Sequence, residues 1–240
     1  MNLVRNALGR LVPAEVRGAG AFDPYEGAFA RILAGRPSPA AFPIRKPDPP
    51  SRSKVARDLQ TAIERSGLEN GMTISFHHHL RNGDAVIPLV LETLLQMGFR
   101  DLTFAPSSIP DSHDCVADYV RKGLIRRIWT SGARGEVGRM ISRGEMEETV
   151  IIRSHGGRAR AIEEGSISID VAFLAAPACD VLGNSAGCAG KSACGSLGYA
   201  ITDARFARHV IAVTDNLVEY PLHPHISISQ NFVNQVVVVD

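Results

Sequence analysis

Three stretches of the chain concentrate residues able to do acyl or anion chemistry. They are Ile74-Ser-Phe-His-His-His-Leu-Arg-Asn-Gly-Asp84, Arg153-Ser-His-Gly-Gly-Arg-Ala-Arg160, and Asp180-Val-Leu-Gly-Asn184 running on to Cys194-Gly-Ser-Leu-Gly198. Each reads as a strand that empties into a polar, glycine-bearing turn, and ligands of open α/β sheets collect at the carboxyl ends of strands. In the first stretch, extended backbone puts His77 and His79 on one face and His78 on the other. Two imidazoles on one side can bind zinc, donate hydrogen bonds to a carboxylate, or shuttle a proton near neutral pH. No further ligand stands at a recognisable metal spacing, so the reading taken is carboxylate or carbonyl recognition, and no metal is expected. Arg81 and Asn82, beside Gly83, strengthen it. In the second stretch Gly156 and Gly157 let backbone N–H groups approach an oxygen anion, while Arg158 and Arg160 supply charge. A glycine pair taken alone marks only a tight turn.

The third stretch lies in a long glycine-rich segment, 177 to 198, that holds Gly183, Asn184, Gly195 and Ser196. A loop of that length in a compact domain is more often functional than not. Cys194 could serve as a thiol nucleophile if a histidine reached it, but a free cysteine is more commonly a small buried hydrophobe. Glu136 is open to the same two readings, a carboxylate nucleophile or a solvated acid at a helix start. No catalytic residue is assigned.

The elements that must position these groups alternate. A helix is expected from Ser53 as N-cap through Val55, Leu59 and Ile63 to Gly67. Strand-like runs follow at 72–76, 102–105, 125–130, 150–153, 169–175, 210–213 and 232–239, with helical runs at 85–97, 115–122, 137–142 and 199–208. Strands separated by helices imply right-handed crossovers, hence an α/β fold with a mostly parallel sheet and helices on both faces. Residues 1–52 differ, with a short helix expected over 2–8 and then a proline-punctuated arm that wraps or extends. The compact domain is placed at 53–240.

Composition excludes several classes. The chain has 240 residues, of which 45% are hydrophobic and 21% charged, enough to bury a substantial core. Its formal charge of +1 gives no basic field for nucleic acid. The longest apolar runs are too short to span a bilayer and the N-terminus lacks an apolar signal region, so a cytoplasmic protein is expected. Cys115, Cys179, Cys188 and Cys194 show no C-x-x-C spacing and read as reduced thiols.

The run from Gly71-Met-Thr-Ile-Ser-Phe-His-His-His79, with Ala105-Pro-Ser-Ser108, Ile151 to Ala161, Ile169 to Leu174 and Cys194 to Ala200, closely resembles the citrate lyase alpha-subunit family. Leu8-Gly-Arg10, Gly18-Ala-Gly20 and Pro24 to Phe29 extend the resemblance into the arm, and the D-x-x-G-N pattern of Asp180 to Asn184 is similar to the wider acyl-CoA transferase superfamily. The resemblance implies a CoA-transferase-like domain and a citrate CoA-transferase. That activity exchanges acetate for citrate, through a mixed anhydride, on the thiol of a CoA-like prosthetic group carried by an acyl carrier (gamma) subunit. A beta subunit then cleaves the citryl thioester. No cofactor is expected to be bound directly. His77, His79 and Arg81 are expected at substrate carboxylates, Gly156, Gly157 and Arg158 at anionic oxygens, Gly183 and Asn184 at the acyl or pantetheine end, with Gly195 and Ser196 also lining the substrate. The family carries a second α/β half, where related transferases place their glutamate, and this chain lacks it. The isolated chain is therefore expected to be inactive, with its terminal valine run awaiting cover. The alternatives are a carrier-binding assembly domain, a transferase for a related acid such as citramalate, and a metallohydrolase.

Overall fold

The structure, a computed structural model, describes residues 2–16, 20–21, 24–27, 52–77, 85–222 and 225–240. The expected helix over 2–8 is instead a hairpin, β1 (Leu3–Arg5) against β2 (Leu11–Pro13). The Asn6 side chain accepts the amides of Leu8 and Arg10, both at 3.0 Å, and Gly9 takes φ 74°, which turns the chain back before a helix can propagate. A second short hairpin pairs β3 (Glu15–Val16) with β4 (Gly20–Ala21).

Helix α1 (Leu59–Ser66) starts later than Ser53 suggests. Asp58 is its cap and accepts the Thr61 amide at 2.7 Å, and Gly67 closes it in the left-handed region. From there the chain runs β5 (Thr73–His77), α2 (Val86–Gln96), β6 (Leu102–Phe104), α3 (Val116–Arg121), β7 (Ile125–Thr130), α4 (Gly135–Ser142), β8 (Ile151–Ile152), α5 (His155–Glu163) and β9 (Val171–Ala175). It continues through β10 (Ala178–Asp180), β11 (Ser185–Ala186), α6 (Ala200–Phe206), β12 (His209–Thr214), β13 (Leu217–Val218) and β14 (Gln235–Val238). Seven strands form one sheet in the order β14-β12-β9-β5-β6-β7-β8, and every pairing in it is parallel.

Period-two alternation sorts the strand residues into two cores. Ile74, Phe76, Phe104, Val171 and Phe173 face α1 to α4, with the Phe76 ring 5.3 Å from Phe104 and 5.2 Å from Phe173. Ala172, Leu174, Val210 and Ala212 face the other side, where Ala161 of α5 and Ala200 and Ala204 of α6 pack. The small residues of this second core bring two helix amino ends close above the sheet.

The connectivity fixes where a crevice can open. From central β5 the chain winds outward to β8, then crosses back through α5 to β9 on the other flank of β5. The winding direction reverses between β5 and β9, and the splayed loops at such a switch point leave a cleft beyond the strands' carboxyl ends. His77 stands there. The terminal valines differ from expectation too. Val236 and Val237 are buried within this chain, because Val55 bridges to Val236 and α1 packs against β14. Only Val238 is exposed among the valines of β14.

Candidate functional site

His77 closes β5 and is 8% exposed. Because Ile74 and Phe76 take the α1–α4 side, Thr73, Ser75 and His77 look toward α5 and α6. Two helix starts meet it there. Tyr199, immediately before α6, sets its ring edge-on to both neighbouring imidazoles, with centroids 6.2 Å from His77 and 5.3 Å from His155. Gly198, at φ 46°, places the position of its missing Cβ 4.0 Å from the His77 ring. Three elements thus converge on one tyrosine: the end of β5, the start of α5 and the start of α6.

The start of α5 is well defined. Ser154 caps the helix, its Oγ accepting the Gly157 amide at 3.1 Å. Gly156 and Gly157 lie inside the first helical turn and not in a loop ahead of it. The cap engages Gly157 and leaves the His155 and Gly156 amides with no acceptor among the described residues, at the positive end of a nine-residue helix. A Cβ on Gly156 would meet nothing within 4 Å, whereas one on Gly157 would come 2.8 Å from the Ser154 Oγ. Gly157 is required by the cap and Gly156 leaves space at the helix mouth.

Arg158 lies beneath this mouth, 1% exposed. Its Nη1 and Nη2 donate to the two carboxylate oxygens of Asp203 at 2.8 Å each, and Nη2 also donates to the Ala105 carbonyl at 2.7 Å. The charge faces a buried carboxylate on α6, so the arginine ties α5, α6 and the end of β6 into one unit. Among the described residues, Arg158 Nε, Ser75 Oγ and Ser107 Oγ in this layer have no hydrogen-bond partner. Register puts Ser75 beside Ala105 and His77 beside Ser107, so this polar layer floors the crevice.

Other sequence candidates fall elsewhere. Gly183 and Asn184 belong to a closed turn built on Asp180, whose carboxylate accepts the Leu182, Asn184 and Leu222 amides and the Asn184 side-chain nitrogen. Asn184 Nδ2 also donates to Gln230 Oε1 at 3.0 Å, and its Oδ1 accepts the Gln230 amide at 2.9 Å. The D-x-x-G-N pattern therefore knots a turn, and the Asn184 side chain is engaged inside it. Gly183 is needed at φ 97°, where a Cβ would come 2.7 Å from that of Val233. Gly195 and Ser196 are exposed on the approach to α6. The Gly195 amide donates to the Gly187 carbonyl, and Ser196 Oγ accepts the Gly198 amide at 3.2 Å. His79 and Arg81 lie outside the described residues.

Neither weighed nucleophile is activated. Burial pushes the Cys194 thiol up from its ordinary value. Glu136 is held down at about 2 by Arg121, Arg139 and Arg143, which bond its carboxylate at 2.7, 3.0 and 3.1 Å. Tyr199, His155 and Asp203 are the site residues that sequence reasoning left unassigned. Both His155 and Tyr199 sit in stretches that carry the family resemblance, and for His155 the place directly after a serine cap was a further signal.

The family model described as "Citrate lyase, alpha subunit (CitF)" matches residues 52–240. The citrate lyase alpha chain of Klebsiella pneumoniae is 53% identical over 187 residues, which cover 78% of this chain and 37% of that protein. This chain thus spans a little over a third of the length of that curated relative. Among solved structures, a Streptococcus mutans protein described as an alpha subunit of citrate lyase, in complex with citrate, superposes with a TM-score of 0.79 at 50% identity. That match covers 85% of this chain and 39% of the other. Glutaconate coenzyme A-transferase of Acidaminococcus fermentans shares the fold, with a TM-score of 0.57 at 14% identity over 78% of this chain and 75% of its own.

Proposed function

The chain belongs to the citrate lyase alpha-subunit family, and on that premise we propose that it holds the citrate-binding part of a citrate CoA-transferase. The observation that carries the reading is Tyr199 seated between His77 and His155, beside the open amino end of α5. An imidazole can hydrogen-bond a carboxylate in either protonation state and adds charge when protonated. Free helix amides attract anionic oxygen by their partial positive charge. A tricarboxylate needs several such donors at different angles, and this crevice offers two rings and two amides.

In the reaction, a citrate carboxylate oxygen attacks the acetyl thioester carbonyl on the carrier and the thiolate leaves, giving acetyl-citryl anhydride. The thiolate then attacks the citryl carbonyl of the anhydride and acetate departs. Charge builds on the carbonyl oxygen in both attacks, where fixed N–H groups stabilise it more than mobile water does. The His155 and Gly156 amides are the donors we assign to that oxygen, with His77 and His155 holding the remaining carboxylates. His79 and Arg81, which follow directly on β5, are assigned to the same carboxylates. Arg158 positions α5 against α6 and does not touch substrate. Gly195 and Ser196 flank the path by which the carrier's CoA-like arm enters, and Gly183 and Asn184 shape the turn below it. The partners are the acyl carrier and beta subunits, together with the part of the family's length that this chain does not span. No directly bound cofactor is invoked. Four free thiols suit a reducing compartment, and we place the protein in the cytoplasm.

The test is acetate-for-citrate exchange on an acetylated carrier protein, assayed with this chain alone and with the remaining portion of the family's length added. Exchange should need both, and His77→Ala should lower it about tenfold or more at subsaturating citrate, the scale for losing one hydrogen bond to a charged group. Full exchange by the His77→Ala protein would remove the site from the crevice.

A further inference from the structure

The glycine-rich segment ahead of α6 carries two thiols that the citrate reading leaves unused, Cys188 and Cys194. The backbone closes the neck of this segment. The Gly187 carbonyl accepts the Cys194 amide at 2.8 Å and the Gly195 amide at 3.0 Å. A Cβ on Gly187 would collide with the Gly195 carbonyl oxygen, so only glycine lets the two sides of the neck approach this closely. The far end is tied down as well. Ser192 Oγ donates to Asp215 Oδ1 at 2.9 Å, and Gly190, at φ 85°, packs against Pro177 and Asn216.

This neck sets the spacing of the thiols. Gly187 and Cys188 share a peptide bond, and the Gly187 oxygen is one hydrogen bond from the Cys194 nitrogen. Standard backbone dimensions then hold the two Cα atoms within about 7 Å, and the bends at oxygen and nitrogen shorten that span further. A disulfide bridges Cα atoms about 4.4–6.8 Å apart. The thiols also sense each other, because burial pushes Cys194 up from its ordinary value and charge on Cys188 pushes it further. The four cysteines differ in access. Cys188 is exposed and Cys194 half-buried, whereas Cys179 is wholly buried, donates to the Asp180 carbonyl at 3.4 Å and is pushed up to about 12 by burial. Cys115 packs against the α1–α4 core, on the opposite face of the sheet from Cys194.

We infer that Cys188 and Cys194 form a peroxide-sensitive dithiol, oxidised reversibly to an intramolecular disulfide across the neck of the loop. The exposed Cys188 thiolate attacks a peroxide oxygen and the O–O bond breaks. Hydroxide leaves, takes up the thiol's proton as water, and Cys188 becomes a sulfenic acid. The Cys194 thiolate attacks that sulfur, the S–O bond breaks and a second water leaves. Two thiols and one hydrogen peroxide thus give one disulfide and two waters, with sulfur oxidised and oxygen reduced. In a reducing compartment such a bond forms on exposure to oxidant, and free thiols reverse it by exchange. The segment runs directly into Gly198 and Tyr199, so the bond fastens one wall of the His77 crevice. Its formation does not depend on which ligand that crevice holds.

The experiment is treatment of this chain with a small molar excess of hydrogen peroxide, followed by thiol counting and peptide mapping without reductant. The free thiols should fall from four to two, with a single linkage between Cys188 and Cys194, and dithiothreitol should restore all four. Cys194→Ser should halt the reaction at a Cys188 sulfenic acid that dimedone captures, and Cys188→Ser should keep the other three thiols reduced over the same interval. The linkage map of the unaltered chain decides the matter whatever the variants' folding. Survival of all four thiols in the treated chain overturns the inference. So does a linkage through Cys115 or Cys179, a disulfide between two chains, or Cys188 oxidised beyond the sulfenic acid while Cys194 stays free.

Discussion

Replacing Tyr199 with alanine removes the ring against which both His77 and His155 rest, and frees the two side chains that the proposed function directs at one ligand. Tyr199→Ala should therefore raise the KM for citrate by about tenfold or more, while Tyr199→Phe, which keeps the edge contacts, should change it little. Steady-state exchange assays on the two variants check this, and equal KM values for Ala and wild type would place the ring outside the site. Glu136 gives a prediction of another kind. Its arginine partners hold its folded value at about 2, below the ordinary 4.5, so the stability it contributes is fully present above 4.5 and is lost as pH falls through about 2. A carboxyl titration by NMR should find that low midpoint, and Arg121→Ala should move it up. His77 was legible from the sequence because alternation and the glycine turn both mark the end of a strand. Asn184 and Arg158 were not, because a polar residue that knots a turn and one that meets a substrate look alike until the partners Asp180 and Asp203 are seen.

At the scale of elements, α5 and α6 form a unit through a buried ion pair. Arg158→Met should destabilise the protein by about 3–5 kcal/mol, since it leaves the wholly buried Asp203 carboxylate uncompensated, and Arg158→Met with Asp203→Leu should recover much of the loss. Urea unfolding of both variants decides it. An undiminished midpoint in the single variant would mean that water reaches Asp203. The Ser154 cap gives a smaller effect in the same assay. Gly157→Val, which drives a Cβ toward Ser154 Oγ, should cost roughly 1 kcal/mol, whereas Gly156→Ala has space and should not. Long periodic elements such as α2 and β7 were readable within a residue or two. The start of α5 was not, because Ser-His-Gly-Gly has turn composition and becomes helical only when its cap forms and Arg158 finds Asp203. The strands β10, β11 and β13 were hidden because two- and three-residue strands have no period to detect.

At the scale of the whole molecule, alternation of strand and helix disclosed the parallel sheet, but local pattern could not give the strand order. The reversal beside β5 is a long-range fact, and it makes the end of β5 a candidate site and not merely an edge. The valine run before Asp240 looked unfinished in sequence because α1 and residues 53–56, which cover β14, lie far away along the chain. The proposed function requires citrate to be held in the crevice at the β5–β9 switch by His77, His155 and the mouth of α5. The most direct measurement is a citrate titration of this chain carrying isotope-labelled histidine and tyrosine, followed by NMR. The His77, His155 and Tyr199 ring signals should move together to saturation, and the His77→Ala protein should bind at least about tenfold more weakly with its urea midpoint unchanged. Rings that stay still at saturating citrate, or unchanged affinity in His77→Ala, would contradict it.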